Sequence, residues 1–313
     1  MNRYVFPAVC GLGLIGNVLS LGVLLRTRLR KSSYILLFAL TFSDTLALIY
    51  PLDFTRLLLY YGSGVASIGW AFSEEGAYAL YVINKILEFL TNLGGYCSTT
   101  LPVVIMVERC VAVFFPLKFN RLVTAKRAWI VVFCVYLFWL PWCLNAVFFT
   151  KFYYLRLSGI NVGVPILSSY YLTNLNIIEI CNKYFFASLA SWVPVCLVVI
   201  GAVILGLKIK LSQRQRQKLV SPKTDVMKQS MHRTTRTLVS VSIVFAILYG
   251  YGFVTLLAVP IEASNDLLGI ILRQSRFSAT YLNSGINFVI YVAMNSKFRK
   301  SFLESLSWLR MCR

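Results

Sequence analysis

Residues 287 to 302 read NFVIYVAMNSKFRKSF, an apolar stretch that turns abruptly basic. Asn287 and Tyr291 interrupt the apolar part, four residues apart, and a group of basic residues follows from Lys297. An apolar run that ends in Lys and Arg is typical of the cytoplasmic end of a membrane-spanning helix. The stretch therefore predicts the inner end of such a helix, and the rest of the chain repeats the pattern.

The composition predicts a membrane protein. Of the 313 residues, 58% are hydrophobic and 13% are charged, whereas soluble domains carry about 25% charged residues. Seven apolar stretches are long enough to cross a hydrocarbon core of about 30 Å. They cover approximately residues 4–25, 33–61, 77–107, 127–149, 184–207, 237–260 and 270–293. Because backbone amides in lipid must be hydrogen-bonded within their own segment, each stretch is predicted to be a helix. The expected fold is an all-α membrane protein, one seven-transmembrane helix bundle over residues 1–313.

The distribution of charge predicts the orientation of the bundle. The net charge of +20 would suggest nucleic-acid binding in a soluble protein. Here most of the 31 Lys and Arg residues fall in segments 26–31, 109–127, 208–236 and 297–313. These segments are every second connection between the predicted helices, together with the C-terminal segment, so they all lie on the same side of the membrane. With that side in the cytoplasm, the positive-inside rule holds at every loop. We therefore expect a multi-pass plasma-membrane protein with its N-terminus outside, whose basic residues meet the lipid bilayer and no nucleic acid.

Three connecting segments have a predicted character. Residues 150–183 are aromatic and β-branched, which favours a short hairpin over the outer end of the bundle. Residues 209–236 are basic and polar, which predicts cytoplasmic extensions of the fifth and sixth helices joined near Pro222. Residues 295–309 place apolar side chains at helical spacing between basic ones, which predicts a short C-terminal helix in the membrane interface. Cys312 is either palmitoylated there or unmodified.

Five polar residues within the apolar stretches are candidates for a functional site, because polar groups at membrane depth are costly. They are Asn17, Asp44, Ser98, Asn283 and Asn287. Asp44 is a carboxylate in the middle of a predicted helix, so it must be protonated, hydrogen-bonded or paired with a cation. Two interpretations are open, a structural hydrogen-bond cluster and a cation site.

Glu108 and Arg109 are adjacent at the inner end of the third apolar stretch. Adjacent residues on a helix point about 100° apart, so the two side chains cannot share one face, although each can pair with a different neighbour. The alternative is that both are ordinary interfacial side chains that extend toward water.

Short motifs follow one another in an order that identifies a family. The first stretch contains GNVLS with Asn17, the second LTFSD with Asp44, and the third ends in ERC, followed by FFPLKFNR with Pro116. The fifth contains SWVPVCLVVIG, the sixth FAILYGY with Phe245, and the seventh LNSGINFVIY, followed by KFRKSF. In this order and spacing the chain resembles the rhodopsin-like, class A G-protein-coupled receptors over residues 4 to 309.

The resemblance implies a receptor that activates a heterotrimeric G protein by outward movement of helix 6, and that is not an enzyme. A sodium ion, an allosteric ligand of the inactive family members, would be held by Asp44, Ser98, Asn283, Ser284 and Asn287. Arg109 matches the arginine that pairs with the preceding acid, here Glu108, and that moves toward the G protein on activation. Tyr291 matches a tyrosine that turns inward in the same switch, and Pro116 and Phe245 match further coupling positions. The basic inner surface would contact G protein and arrestin.

The chain departs from the family pattern where helices usually bend. Tyr249 and Tyr251 replace the Trp and Pro of the sixth helix, so no proline kink is expected there. Phe288 replaces a proline of the seventh helix, and in this respect the helix is similar to peptide receptors of the FMRFamide type. Ala202 replaces a tyrosine of the fifth helix, which predicts a less strongly held active state.

A second departure concerns the outer side. Asn84 replaces the cysteine at the top of the third helix, so Cys181 in the following outer loop has no obvious disulfide partner. Either packing alone holds this loop, or Cys181 is a free thiol.

The resemblance also implies an outer ligand cavity. Its expected lining residues are Asp53, Arg56, Asn84, Glu88, Thr91, Lys183, Tyr249, Phe253, Phe277 and Tyr281. Thr91 occupies the position of the amine-receptor aspartate, and Tyr281 that of the retinal lysine, so monoamines and retinal are not expected. Glu88 pairs either with a cationic ligand or structurally with Lys85 or Arg56. A short extracellular peptide and a small chemosensory molecule both suit an aromatic cavity with mixed charges.

Two other classes of function are alternatives to a receptor. A transporter or proton pathway would use Asp44 as its titrating group, but the inverted repeats common in transporters are not visible. A membrane enzyme would need a nucleophile with its base or a metal cluster. The one histidine, His232, lies on the predicted cytoplasmic side and has no such set beside it.

Overall fold

A computed structural model of the chain describes residues 2–26, 29–52, 70, 73–157, 160–217, 240–255, 267–294 and 298–304. Long helices account for most of these residues. In chain order they are α1 (Asn2–Arg26), α2 (Ser32–Ala47), α3 (Glu74–Phe114), α4 (Ala125–Val147), α5 (Trp192–Gln217), α6 (Ser240–Thr255) and α7 (Leu267–Met294). Each contains part of one predicted apolar stretch, in the same order. The predicted all-α class is confirmed.

Several helices have the length and composition of membrane spans. Four helical stretches meet both criteria: Pro7–Arg26, Glu74–Phe114, Ala125–Val147 and Leu175–Lys208. Among the described residues α2 and α6 are shorter apolar helices, and α7 is long enough but carries Arg and several polar side chains. The structure therefore supports a multi-pass membrane protein, and on its own leaves the number of crossings a prediction.

The second predicted helix, over 33–61, is shorter than expected where the structure describes it. The helix α2 ends at Ala47, and a single 3₁₀ turn follows at Tyr50–Leu52. Residues 53–61 lie outside the described ranges. The helix α3 is longer than the predicted 77–107 because Ser73 caps its start, accepting a hydrogen bond from the Gly76 N–H. Capping of this kind satisfies a backbone donor that would otherwise lack a partner.

The fifth predicted helix, over 184–207, begins later than expected. Short helical turns occupy Ser169–Ala190, including a π-helical turn at Cys181–Phe186, and α5 begins at Trp192 after a break at Ser191. The break places Pro194 in the first turn of α5, where backbone N–H groups make no intrahelical hydrogen bond in any case, so its missing N–H costs nothing. In a helix that continued from residue 184, Pro194 would remove one backbone hydrogen bond.

The remaining predicted boundaries agree closely where they are described. The helix α4 is shifted slightly from the predicted 127–149, and α7 slightly exceeds the predicted 270–293. The predicted ends of the sixth helix, 237–239 and 256–260, lie outside the described residues. Of the predicted interfacial helix over 295–309, residues 298–304 are described and are helical.

The predicted hairpin is present. Strands β1 (Thr150–Leu157) and β2 (Ile160–Leu167) pair antiparallel. The hairpin lies against the start of α3: a Cβ atom on Gly163 would be 2.7 Å from the Ala77 Cβ, and the Tyr81 hydroxyl donates to the Thr150 carbonyl at 2.9 Å. Cys181 is a free thiol. Both alternatives raised by the missing disulfide therefore apply together, since packing holds the hairpin and the thiol is unpaired.

Glycines allow the closest helix contacts of the bundle. At Gly94 in α3, an added Cβ would lie 2.6 Å from the Ser43 carbonyl oxygen of α2. At Gly13 in α1, it would lie 2.8 Å from the Gly285 Cα of α7. Small residues at such positions let membrane helices approach at backbone distance. Unlike α1, α3 and α4, which contain Pro7, Pro102 and Pro141, α7 has no proline.

Candidate functional site

Asp44 is the centre of a buried polar cluster in which α2, α3 and α7 meet. Its side chain is fully buried. One carboxyl oxygen accepts a hydrogen bond from the Ser98 hydroxyl, and the other accepts one from Asn287 Nδ2 at 2.7 Å. Ser284, on the same helix as Asn287, is also buried. A buried carboxyl group without such partners would be strongly destabilising.

The helix α1 contributes a further polar side chain, Asn17, next to the Asp44 cluster. Asn17 Nδ2 donates to the Ser284 carbonyl at 2.9 Å, which ties α1 to α7 beside the Asp44 carboxyl. Asn283 is also buried. Within the described part of the chain, Asn17 Oδ1, Ser20 Oγ and the Tyr291 hydroxyl are buried and make no hydrogen bond. Three buried polar atoms of the described part of the bundle are therefore without a hydrogen-bond partner, which is uncommon in proteins.

The cluster has the chemistry of a site for a hard cation. A carboxylate with hydroxyl and amide oxygens around it suits ions that prefer oxygen ligands. Among the described residues no group of three or more His, Cys, Asp and Glu side chains comes together. Both Asp44 carboxyl oxygens accept hydrogen bonds from side chains of the protein, as expected for a structural hydrogen-bond cluster. The oxygen atoms around Asp44 are also of the kind that sodium prefers, so the cation site stays a prediction.

Glu108 and Arg109 form a buried ion pair at the opposite end of α3 from the hairpin. Arg109 Nε and Nη2 donate to Glu108 Oε2 at 3.0 and 2.5 Å. The side chains are 4% exposed. The prediction that the two side chains cannot share one face is wrong, because both are long enough to bend toward each other across the roughly 100° between their Cα–Cβ bonds. The pairing of Arg109 with Glu108 that the family resemblance implies is present.

The ion pair is tied to the start of α2 by two serines. The hydroxyls of Ser32 and Ser33 donate to Glu108 Oε1 at 2.6 and 2.9 Å. Ser33 also accepts a hydrogen bond from Arg109 Nη2. Ser33 therefore contacts both members of the pair, whereas Ser32 contacts the acid alone. Hydrogen bonds to charged groups are stronger than neutral ones.

The other predicted switch residues lie close to this end of the bundle. Tyr291 is buried, 1% exposed, with its ring centroid 5.6 Å from that of Phe298. Phe245 is equally buried and lies against Tyr249, with ring centroids 4.7 Å apart. Pro116 is exposed in the turn after α3, next to Leu117, which is 98% exposed.

The residues predicted to line the outer ligand cavity fall into two groups. The first group consists of three residues of α3 whose side chains contact other parts of the protein. Glu88 pairs with Lys85 at 2.8 Å, which is the structural alternative raised from the sequence. Asn84 Nδ2 donates to the Leu80 carbonyl. Thr91 donates to the Leu46 carbonyl and accepts from the Tyr50 N–H, which joins α3 to the end of α2.

The second group consists of aromatic residues on α6 and α7. Tyr249 and Phe253 are partly buried on α6, and on α7 the rings of Phe277 and Tyr281 stack with centroids 6.5 Å apart. Lys183 lies in the π-helical turn Cys181–Phe186. Asp53 and Arg56 lie outside the described residues.

Comparison with known proteins decides the family. The sequence model of the Serpentine type 7TM GPCR chemoreceptor Srw family matches residues 4–309. The chain belongs to this family. It is a divergent G-protein-coupled receptor of the multi-pass membrane class and not an enzyme. The alternative of a transporter or proton pathway is not favoured.

Known relatives of this Srw receptor are themselves receptors. A probable G-protein coupled receptor of Caenorhabditis elegans is 23% identical over 96% of this chain and 68% of its own length. Galanin receptor 2b of Danio rerio is 25% identical over 97% of this chain and 74% of its own length. The FMRFamide receptor of Drosophila melanogaster is 26% identical over 93% of this chain and 51% of its own length.

Sequence reasoning missed several polar contacts in the Srw receptor. Ser32 and Ser33 gave no signal because polar residues at a helix start in the membrane interface are ordinary. The Tyr136 hydroxyl of α4 hydrogen-bonds Ser43 Oγ at 2.6 Å, one residue from Asp44. Trp139 Nε1 donates to Thr100 of α3 at 2.9 Å. The polar Tyr and Trp tips in an otherwise apolar α4 were the signal for these contacts.

Proposed function

We propose that this Srw receptor lies in the plasma membrane with its N-terminus and hairpin outside, and with the Glu108–Arg109 end facing the cytoplasm. It binds an extracellular ligand and activates a heterotrimeric G protein by outward movement of α6. The distribution of Lys and Arg supports this orientation. Membership of a G-protein-coupled receptor family supports the transducer role.

The observation that carries the proposal is the buried ion pair of Glu108 and Arg109. A guanidinium at the cytoplasmic end of α3 is held by an adjacent acid and by a serine of another helix. An arrangement of this kind has two states, one with the pair closed and one with Arg109 released toward the G protein. A ligand shifts such an equilibrium only through its different affinity for the two states. Tyr291, Phe245 and Pro116 are proposed to act in the same switch, and arrestin to bind the same surface.

Sodium is the proposed allosteric ligand of the Asp44 cluster. The carboxyl group of Asp44 and the hydroxyls of Ser98 and Ser284 would hold the ion, with the amide oxygens of Asn283 and Asn287 completing the set. A cation there would link α2, α3 and α7 and stabilise the closed state. Asp44 is buried among hydrogen-bond partners on two other helices, which supports this location.

A short peptide is the favoured ligand class, with a small chemosensory molecule as the second. Two relatives are named for galanin and for FMRFamide, whereas the family is described as one of chemoreceptors. Because Glu88 is paired with Lys85 and Thr91 with α2, aromatic side chains of α6 and α7 are proposed to make the main ligand contacts. These are Tyr249, Phe253, Phe277 and Tyr281.

The test begins with a screen of peptide and odorant libraries on cells that express the receptor, with calcium and cyclic AMP both measured. With an agonist in hand, Arg109→Ala should abolish agonist-driven GTP exchange while surface expression stays intact. Arg156→Ala, which removes an exposed positive charge from the hairpin at the other end of the bundle, is the matched control and should retain exchange. Unchanged exchange in Arg109→Ala would contradict the mechanism.

The sodium proposal has a separate test. Asp44→Asn keeps the size of the side chain and removes its charge, so agonist affinity should no longer respond to sodium. Potassium at equal ionic strength controls for salt screening. If affinity still depends on sodium in Asp44→Asn, the ion binds elsewhere.

A further inference from the structure

A cavity on the flank of the hairpin end is separate from both sites described above. It is a widely open depression of about 1050 Å³ between the hairpin and the neighbouring ends of α3 and α4. Its lining contains no residue of the Asp44 cluster and none of the residues predicted to contact the extracellular ligand. Its volume slightly exceeds the roughly 300–1,000 Å³ typical of sites for one small molecule.

The walls of the cavity are aromatic and aliphatic. Tyr78 and Tyr81 of α3 line it with Phe152 of β1, whose ring centroid lies 5.4 and 5.7 Å from those of the two tyrosines. On the α4 side the lining includes Leu144 and Phe148, which are 47% and 63% exposed. The cavity is therefore open on its α4 side. In the orientation of the proposed function, on which this step rests, that side faces the outer leaflet.

Two polar side chains of the cavity lining, Asn145 and Lys151, can donate hydrogen bonds to a ligand. Asn145 Oδ1 accepts from the Tyr170 hydroxyl at 2.7 Å, which leaves its Nδ2 as a free donor group. Lys151, exposed and adjacent to Thr150, adds a positive charge. No Asp or Glu lines the cavity, so its polar end is complementary to an anion.

We propose that this cavity binds a long-chain amphiphile with an acidic head group, of which a free fatty acid is the simplest example. The carboxylate would accept hydrogen bonds from Asn145 and Lys151. The acyl chain would lie along Leu144 and the aromatic wall, entering from the leaflet at the hairpin end. A neutral sterol would satisfy the apolar wall but would leave the charge of Lys151 unused.

Occupancy of the cavity would add a contact between the hairpin and α4. The hairpin has no disulfide to the bundle among the described residues and is held by packing against α3. A bound amphiphile would bridge it to a second helix. A bound amphiphile is therefore expected to stabilise the position of the hairpin against α4. This effect should not require the extracellular ligand or the G protein.

The test is direct photolabelling of the purified full-length receptor in nanodiscs of neutral phospholipid. The probe is palmitic acid carrying a diazirine in its chain, and labelled residues are identified by peptide mass spectrometry. We expect labels within residues 141–152 and competition by palmitic acid but not by its methyl ester. Lys151→Gln should weaken labelling about fivefold, the effect expected for loss of one partly exposed charge contact.

Arg156→Gln is the matched control, because Arg156 is another exposed cation on the same strand and does not line the cavity. It should label like the unchanged receptor, and thermal unfolding of each variant shows whether it is folded. Equal loss in Lys151→Gln and Arg156→Gln would overturn the proposal, as would effective competition by the methyl ester. Labelling of the same residues by a photoreactive sterol, with none by the acid, would assign the cavity to a neutral lipid instead.

Discussion

Removal of the Ser33 hydroxyl should raise the activity of the receptor in the absence of ligand. Ser33 Oγ accepts a hydrogen bond from Arg109 that exists only while Arg109 stays beside Glu108. A hydrogen bond to a charged group contributes about 1.5 kcal/mol at the lower end of the measured range, and 1.4 kcal/mol is a tenfold change in an equilibrium constant. If about 1% of the free receptor is active, Ser33→Ala should raise this fraction to about 10%.

Ser32→Ala provides the matched control. Ser32 donates to Glu108 alone, and this bond does not require Arg109 to be in place. Its loss should therefore affect the two states alike and leave basal activity nearly unchanged. The assay is ligand-free binding of a non-hydrolysable GTP analogue to G protein in membranes, normalised to receptor number. Equal basal activity in the two alanine variants, or none above the unchanged receptor in Ser33→Ala, would refute the argument.

Three further predictions follow from packing and exposure. Gly94→Ala should lower receptor stability by about 1–3 kcal/mol, because the new Cβ would lie 2.6 Å from a carbonyl oxygen of α2; Gly95→Ala, where no atom lies within 4 Å, should not, as measured by thermal unfolding in detergent. Leu117→Ala should reduce G-protein activation without changing stability or ligand affinity, since Leu117 is 98% exposed; an unchanged exchange rate would contradict this. On intact cells, a membrane-impermeant maleimide should label Cys181 without prior reduction, and Cys181→Ser should remove the label; a requirement for reductant would reveal a disulfide.

The existence and order of the helices could be predicted because lipid requires helical backbone wherever the chain is apolar for long enough. Their ends were harder. The start of α5 at Trp192 depends on Pro194 fitting a first helical turn, whereas hydropathy alone continues upstream to residue 184. The end of α3 depends on a helix that continues beyond the membrane, where apolarity carries no information.

The Asp44 cluster was accessible from the sequence because each polar residue stands out against an apolar background. The ion pair was accessible only in part. The angle of about 100° between adjacent helical residues predicts that Glu108 and Arg109 point to different faces. Their side chains are long and flexible enough to meet despite this angle. The bonds from Ser32 and Ser33 depend on how α2 packs against α3, and a single sequence contains no measure of that. The outer pairing of Glu88 with Lys85 was one of two open alternatives.

The unbroken length of α7, which contains no proline, has a mechanical consequence. Its 28 residues form a rod of about 42 Å at 1.5 Å per residue, with the aromatic residues Phe277 and Tyr281 toward one end and Tyr291 toward the other. The backbone contact between Gly285 and Gly13 lies between them and can serve as a fulcrum. A rod without a proline joint transmits a tilt along its whole length. If a ligand displaced Tyr281 in one direction, α7 would pivot about the Gly13–Gly285 contact and Tyr291 would move in the opposite direction.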